Sequence, residues 1–209
     1  MLRSELGGPL TERGRGEASL ESASASVSEE AKRSDRALLI VDLVEPLVRG
    51  ASAVPGALEM VRFIRGELRY FRERGRPVIF AHSDEGERSP AIIQEVTPRA
   101  GEVVLRKRTP SAFFDTELDA LLRRADVRRV TLVGLETPTS ILLTAADAYA
   151  RGYEVVVPDP CVLARDADDH RFALHLIRDL WRPAGRVDDV RSHESSDEGR
   201  TLSAEGGPA

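Results

Sequence analysis

The chain has 209 residues, 30 of them lysine or arginine and 35 aspartate or glutamate, for a formal net charge of −5. Charges of both signs are spread along it without a basic stripe interleaved with aromatics, so nucleic acid is not expected as a partner. The single cysteine, Cys161, excludes an internal disulfide and a thiolate zinc cluster. The four histidines, His82, His170, His175 and His193, include no pair at the spacing of a helical metal site, so neither a metal nor another cofactor is expected. No apolar run is long enough to span a bilayer, and the N-terminus lacks the apolar core of a secretory signal. A cytoplasmic protein without a membrane partner is the expectation.

Residues 1–35 and 191–209 are rich in Ser, Glu, Arg and Gly and poor in large apolar side chains. Such segments bury too little apolar surface to offset the entropy of ordering, which predicts two disordered tails around one domain at 36–190. Within the domain, Ala37 to Leu43 reads as a buried first strand with Asp42 near its carboxyl end. Pro46 breaks the segment. From Pro55 to Arg74, Leu58, Val61, Ile64, Leu68 and Phe71 recur at helical spacing, and Gly75 ends the helix. Pro77 to Ala81 is a second strand, followed by His82, Ser83 and Asp84. A strand, a helix and a strand in succession predict a right-handed crossover in a parallel sheet.

A loop over 85–101, with one helical turn at Ile92–Val96, leads to a third strand at Glu102–Leu105 and then to Arg106-Lys107-Arg108. Thr116 to Asp119 resembles a capping box that opens a helix through Arg124. Residues 130–135 are apolar apart from Thr131, as suits a central strand covered on both faces. Thr137 is the predicted N-cap of the following helix, with Pro138 at its first position. That helix carries Ala145, Ala148 and Tyr149 and closes at Gly152. Tyr153 to Val157 is a further strand, Asp168 to Trp181 a helix with Phe172, Leu176 and Leu180 on one side, and Gly185–Val190 a final edge strand. The fold class is α/β, a three-layer sandwich with a mainly parallel, Rossmann-like sheet between helices.

Open α/β sheets bind ligands at the carboxyl ends of their strands, beside helix N-termini. Three polar residues are predicted there: Asp42, Lys107 and Ser140. A hydroxyl needs a base to become nucleophilic, and a carboxylate can serve. An ammonium favours the charged form of such a carboxylate and steadies developing negative charge. The first-turn N–H groups, those of Thr139 and Ser140, supply an oxyanion site. Each residue also has a plainer reading: Asp42 as a loop acid, Lys107 as part of a solvated Arg-Lys-Arg face, Ser140 as a capping hydroxyl. Arg106 and Arg108 are solvated arginines or anchors for an anionic substrate, and His82 lines the site or caps its strand.

Three stretches, ALLIVDL ending in Asp42, KRTPSAFFDTELDALL beginning at Lys107, and VGLETPTSILLTAADAYARGYEVVVPDPC, make the chain similar to the isochorismatase-like hydrolases, also called cysteine hydrolases. The likeness covers roughly 36–190 and places Lys107 six residues before Phe113, as in the family. It implies a catalytic trio of Asp42, Lys107 and residue 140, a non-proline cis peptide bond at Glu136–Thr137, and a homo-oligomer. Two departures matter. The family's nucleophile is usually Cys, here replaced by Ser140, while Cys161 reads as a small packing residue. The family's Met-Gln-Asn-Asp-Phe after the aspartate is here Leu43-Val44-Glu45-Pro46-Leu47, and the Asp-x-His metal site of nicotinamidase-type members has no equivalent.

Three readings stay open on these residues. Ser140 attacks an amide or ester; or Asp42 acts as general acid on a vinyl ether while water attacks and Ser140 only positions; or a degenerate site binds a small molecule or a partner without turnover.

Overall fold

The computed structural model describes residues 35–83 and 89–180. The readings of the tails and of an edge strand at 185–190 lie outside these residues. In chain order the elements are β1 (Arg36–Val41), a single helical turn at Glu45–Val48, α1 (Ala57–Glu73), β2 (Val78–Ser83), a 3₁₀ turn at Gln94–Val96, and β3 (Val103–Lys107). Then come α2 (Leu118–Arg124), β4 (Arg129–Leu135), a π turn at Thr137–Ile141, α3 (Leu142–Ala150), β5 (Glu154–Val156), β6 (Val162–Leu163) and α4 (Ala167–Leu180).

The sheet runs β3-β2-β1-β4-β5 with every pairing parallel, and the short β6 pairs with the carboxyl end of β4. After β1 the chain builds outward through β2 and β3, then returns to the other side of β1 for β4. The direction of winding therefore reverses between β1 and β4, the kind of switch point at which open α/β sheets bind ligands. Alternation along β1 divides the core. Ala37, Leu39 and Val41 face a layer with Leu118, Leu122, Ala145, Ala148 and Ile177 from α2, α3 and α4. Leu38 and Ile40 face Met60, Val61, Ile64, Leu68 and Phe71 of α1. Both faces of β1 and β4 are covered, which is why these strands read as near-continuous apolar runs.

Packing overrides helical periodicity in two places. Leu58 is exposed, and α1 instead turns Ala57 and Met60 inward. On α4 the side marked by Phe172 is not the buried one: Phe172 is 63% exposed, while Ala173, Leu174 and Ile177 are buried. One residue is a rotation of about 100° on a helix, so a shift of one position exchanges a buried face for a wet one. The expected absence of a basic stripe also needs correction, because α1 gathers Arg62, Arg65, Arg69 and Arg72 along one edge. Among the described residues, no helix is long and apolar enough to cross a membrane.

Gly134 is where β1 and β4 approach most closely. Its φ is +133°, and a Cβ there would lie 1.9 Å from the carbonyl oxygen of Val41. No side chain fits that contact without parting the two central strands. Gly134→Ala is expected to destabilise the fold by about 3 kcal/mol or more, measured by urea denaturation; a loss below about 1 kcal/mol would show that the strands can part cheaply.

Candidate active site

Three strand ends build the site. The chain leaves β1 at Asp42 in a left-handed conformation (φ 52°), a region that Asp tolerates better than most residues. The Asp42 amide donates to the Ala81 carbonyl at 2.8 Å, so the ladder with β2 continues one step beyond the strand. At the end of β2, Ser83 stands in register with Lys107 of β3. From the other side of β1, β4 ends at Leu135, and the following turn delivers Ser140.

That turn differs from the expected N-cap. Glu136 is left-handed (φ 61°, ψ 61°) and directs its carbonyl into the turn, where it accepts from the amides of Thr139 at 3.1 Å and Ile141 at 3.2 Å. The second bond reaches back five residues, a π-type closure of the kind frequent at functional sites. Thr137 is therefore the first residue of the turn, not its cap. The implied cis bond at Glu136–Thr137 is also corrected, because no peptide bond among the described residues is cis. The left-handed Glu136 makes the change of direction instead. It also commits the Thr139 amide, one of the two expected oxyanion donors, to a backbone carbonyl.

The structure brings Asp42, Lys107 and Ser140 together and adds Ser83. The Lys107 ammonium lies 2.8 Å from Asp42 Oδ2 and donates to Ser83 Oγ and Ser140 Oγ, both at 3.2 Å. Those contacts use all three of its N–H donors. Ser140 Oγ donates to Asp42 Oδ2 at 2.6 Å, while Asp42 Oδ1 accepts from the Ser83 amide at 3.0 Å and the Ser83 hydroxyl at 3.4 Å. Each hydroxyl thus accepts from the ammonium and donates to the carboxylate. Lys107 is 1% exposed, Asp42 3% and Ser140 5%. A charged pair at this depth persists only with such complete hydrogen bonding. Ser83 was named in the sequence only as a strand-end residue; its polar side chain beside the acid-bearing strand is the signal that marks it.

Outer contacts hold the constellation. His170 of α4 meets Thr137 Oγ1 through Nδ1 at 2.9 Å, tying that helix to the turn that carries Ser140. Thr144 of α3 accepts from the Ala112 amide at 3.0 Å, and Ser111 donates to Asp147 at 2.5 Å, so the segment after Lys107 is pinned to α3. His82 is buried, with Nδ1 3.1 Å from the Ser83 carbonyl oxygen, whereas Arg106 and Arg108 are exposed. Cys161 lies in the core beneath α1, and burial pushes its thiol pKa up to about 12. Among the described residues, no group of three or more His, Cys, Asp or Glu is arranged to hold a metal ion.

A parallel α/β sheet with an acid, an ammonium and a hydroxyl joined at its switch point is an architecture suited to small-molecule hydrolysis. The chain belongs to the isochorismatase family, whose domain model matches residues 36–189. The isochorismatase family protein YaaI of Bacillus subtilis is 28% identical over 71% of this chain and 91% of its own length. Maleamate amidohydrolase of Pseudomonas putida is 42% identical over a shorter stretch, 44% of each chain. Among solved structures, N-carbamoylsarcosine amidase of Thermoplasma acidophilum superposes with a TM-score of 0.63 at 30% identity, covering 68% of this chain and 92% of that one. The protein is thus a hydrolase-family member of the isochorismatase type.

Two expectations follow from the geometry. Lys107→Met leaves the Asp42 carboxylate buried without its counter-charge and is expected to cost about 3–5 kcal/mol in urea unfolding; the Asp42→Asn/Lys107→Met pair should recover part of that loss. Burial also lowers the pKa of His170, with Arg171 and Arg178 adding to the effect and Asp159 opposing it. A folded-state pKa below the ordinary value of about 6.5 means that the unfolded chain takes up this proton first. The contribution to stability is then full above about pH 6.5 and is lost as pH falls below it. His170→Gln should flatten the acid-side slope of stability between about pH 6.5 and 5, whereas an unchanged slope would remove His170 from the account.

Proposed function

We propose that the protein hydrolyses the amide bond of a small molecule, with Ser140 as nucleophile, Asp42 as its base and Lys107 as the charge that steadies both. The observation that carries this reading is the hydrogen bond from Ser140 Oγ to Asp42 Oδ2 at 2.6 Å. As Oγ attacks the carbonyl carbon, its proton passes to Asp42, and the C–O bond forms while the carbonyl π pair moves onto oxygen. Collapse of that intermediate breaks the C–N bond, and Asp42 returns the proton to the leaving amine. Water then attacks the Ser140 ester with Asp42 again as base, which releases the acid and restores the hydroxyl.

An alcohol is a poorer nucleophile than a thiol, and the family usually has Cys at this place. Lys107 Nζ, 3.2 Å from Oγ, compensates by stabilising negative charge on that oxygen in a water-poor site. The Ser140 amide, in the π turn that leads into α3, serves as the backbone donor to the substrate oxyanion. Relatives that cleave C–N bonds, maleamate amidohydrolase and N-carbamoylsarcosine amidase among them, support an amide or ureido substrate. In both names the substrate is a small acid, and the exposed Arg106 and Arg108 border the segment that leaves the site.

A panel of small amides including maleamate and N-carbamoylsarcosine tests the proposal. Ser140→Ala should lower kcat by about a thousandfold or more, and Asp42→Asn should do the same. Mass spectrometry of the wild-type protein with substrate should show an acyl adduct on Ser140. Ser140→Cys should label rapidly with iodoacetamide, against a background in which buried Cys161 stays silent. A mere tenfold loss in Ser140→Ala would replace covalent catalysis with attack by water. No turnover on the panel, together with no labelling of Ser140→Cys, would replace the hydrolase with a ligand-binding protein.

A further inference from the structure

Away from the strand ends, α1 borders a second concave surface. Arg62, Arg65, Arg69 and Arg72 are spaced by three, four and three residues, which aligns them on one edge of the helix. From first to last they span about 15 Å at the rise of an α-helix. The groove beside them, about 630 Å³, is closed on its other side by Glu95 and Arg99. Gly66 leaves its middle unfilled, since a Cβ there would meet nothing within 4 Å.

Five guanidinium groups thus share one groove on a chain whose net charge is −5. Arg72 is engaged by Glu102 at 2.7 and 2.8 Å and by the Thr97 carbonyl. Arg69 reaches Glu73 only at 4.0 Å with both side chains well exposed, a pairing of little strength. Arg62 lies over the Phe63 ring at 4.6 Å, which leaves its N–H edges available. Among the described residues, no ion pair within 4.0 Å involves Arg65 or Arg99; Arg49 takes Glu95 Oε1, while Glu95 Oε2 is buried without a hydrogen-bond partner. Like charges gathered in this way raise the local potential, and a bound anion relieves it.

We infer that this groove binds a small oligophosphate, held by forked guanidinium contacts from Arg62, Arg65, Arg69 and Arg99. The planar fork of arginine matches phosphate oxygens two at a time, which a lysine patch would not do. The groove is short and Glu73 stands at its end, a boundary that suits a compact anion and opposes a continuous nucleic-acid backbone. The bond from Arg72 to Glu102, just before β3, sets one end of the groove at the amino ends of the strands, while Glu95 on its wall pairs with Arg49 in the segment that follows β1. Asp42, Lys107 and Ser140 stand at the carboxyl ends. None of the three lines the groove, so the bound anion is not the substrate of the site described above.

Isothermal titration of the full chain with pyrophosphate and tripolyphosphate tests the inference, in about 150 mM NaCl and against sulfate at matched ionic strength. Saturable one-site binding is expected, stronger for an oligophosphate than for sulfate. Arg65→Ala/Arg69→Ala should weaken it at least tenfold with an unchanged far-UV spectrum, while Arg124→Ala, on α2, should leave it unaltered. No saturable heat, equal affinity in the double variant, or binding of duplex DNA but neither oligophosphate would overturn the inference. Because binding is read without turnover, any of these results leaves the hydrolase proposal standing or falling on its own tests.

Discussion

A buried ion pair governs this structure. Two full charges, on Asp42 and Lys107, sit almost wholly out of water, and such a pair is tolerable only when every donor and acceptor is met. The ammonium has three partners and the carboxylate four contacts, and the two serine hydroxyls serve both. Because the charges come from the ends of β1 and β3, with β2 between them, the strands must end level. The same register that pairs Ser83 with Lys107 therefore sets both the electrostatics of the core and the geometry of the site.

The remaining member arrives from the other side of β1, and its delivery depends on backbone conformation. Gly134 allows β4 to press against Val41, and the left-handed Glu136 then swings the chain into a π turn. His170 holds that turn through Thr137, so α4 helps to fix the segment that carries Ser140 without touching the hydroxyl. The Ser140 hydroxyl placed in this way directs its proton at the Asp42 carboxylate and accepts from the Lys107 ammonium.

The two ends of the sheet have different characters. At the carboxyl ends, Asp42 and Lys107 bury one charge of each sign against one another. Away from that pair, the outer edge of α1 is exposed and strongly positive. A helix can present both a buried apolar face and a charged edge because residues three and four apart share one side while their neighbours turn away.

The fold class, the order of the principal strands and helices and the three polar residues that meet at the strand ends were legible in the sequence, whereas the short β6 and the turn at Glu45–Val48 were not. Buried strands are apolar runs, helices repeat at 3.6 residues, and polar residues at strand ends stand out against both. Ala37 to Leu43 and Val130 to Leu135 show this most clearly. Only the tertiary structure decided that Ser83 closes the network, that Phe172 points outward, that Thr137 binds His170 in place of capping a helix, and that the bond at Glu136–Thr137 is trans. Those choices depend on contacts between residues far apart in the chain. Local pattern states which side chains prefer water, but the direction of a helix face or a turn carbonyl is set by what lies across the interface.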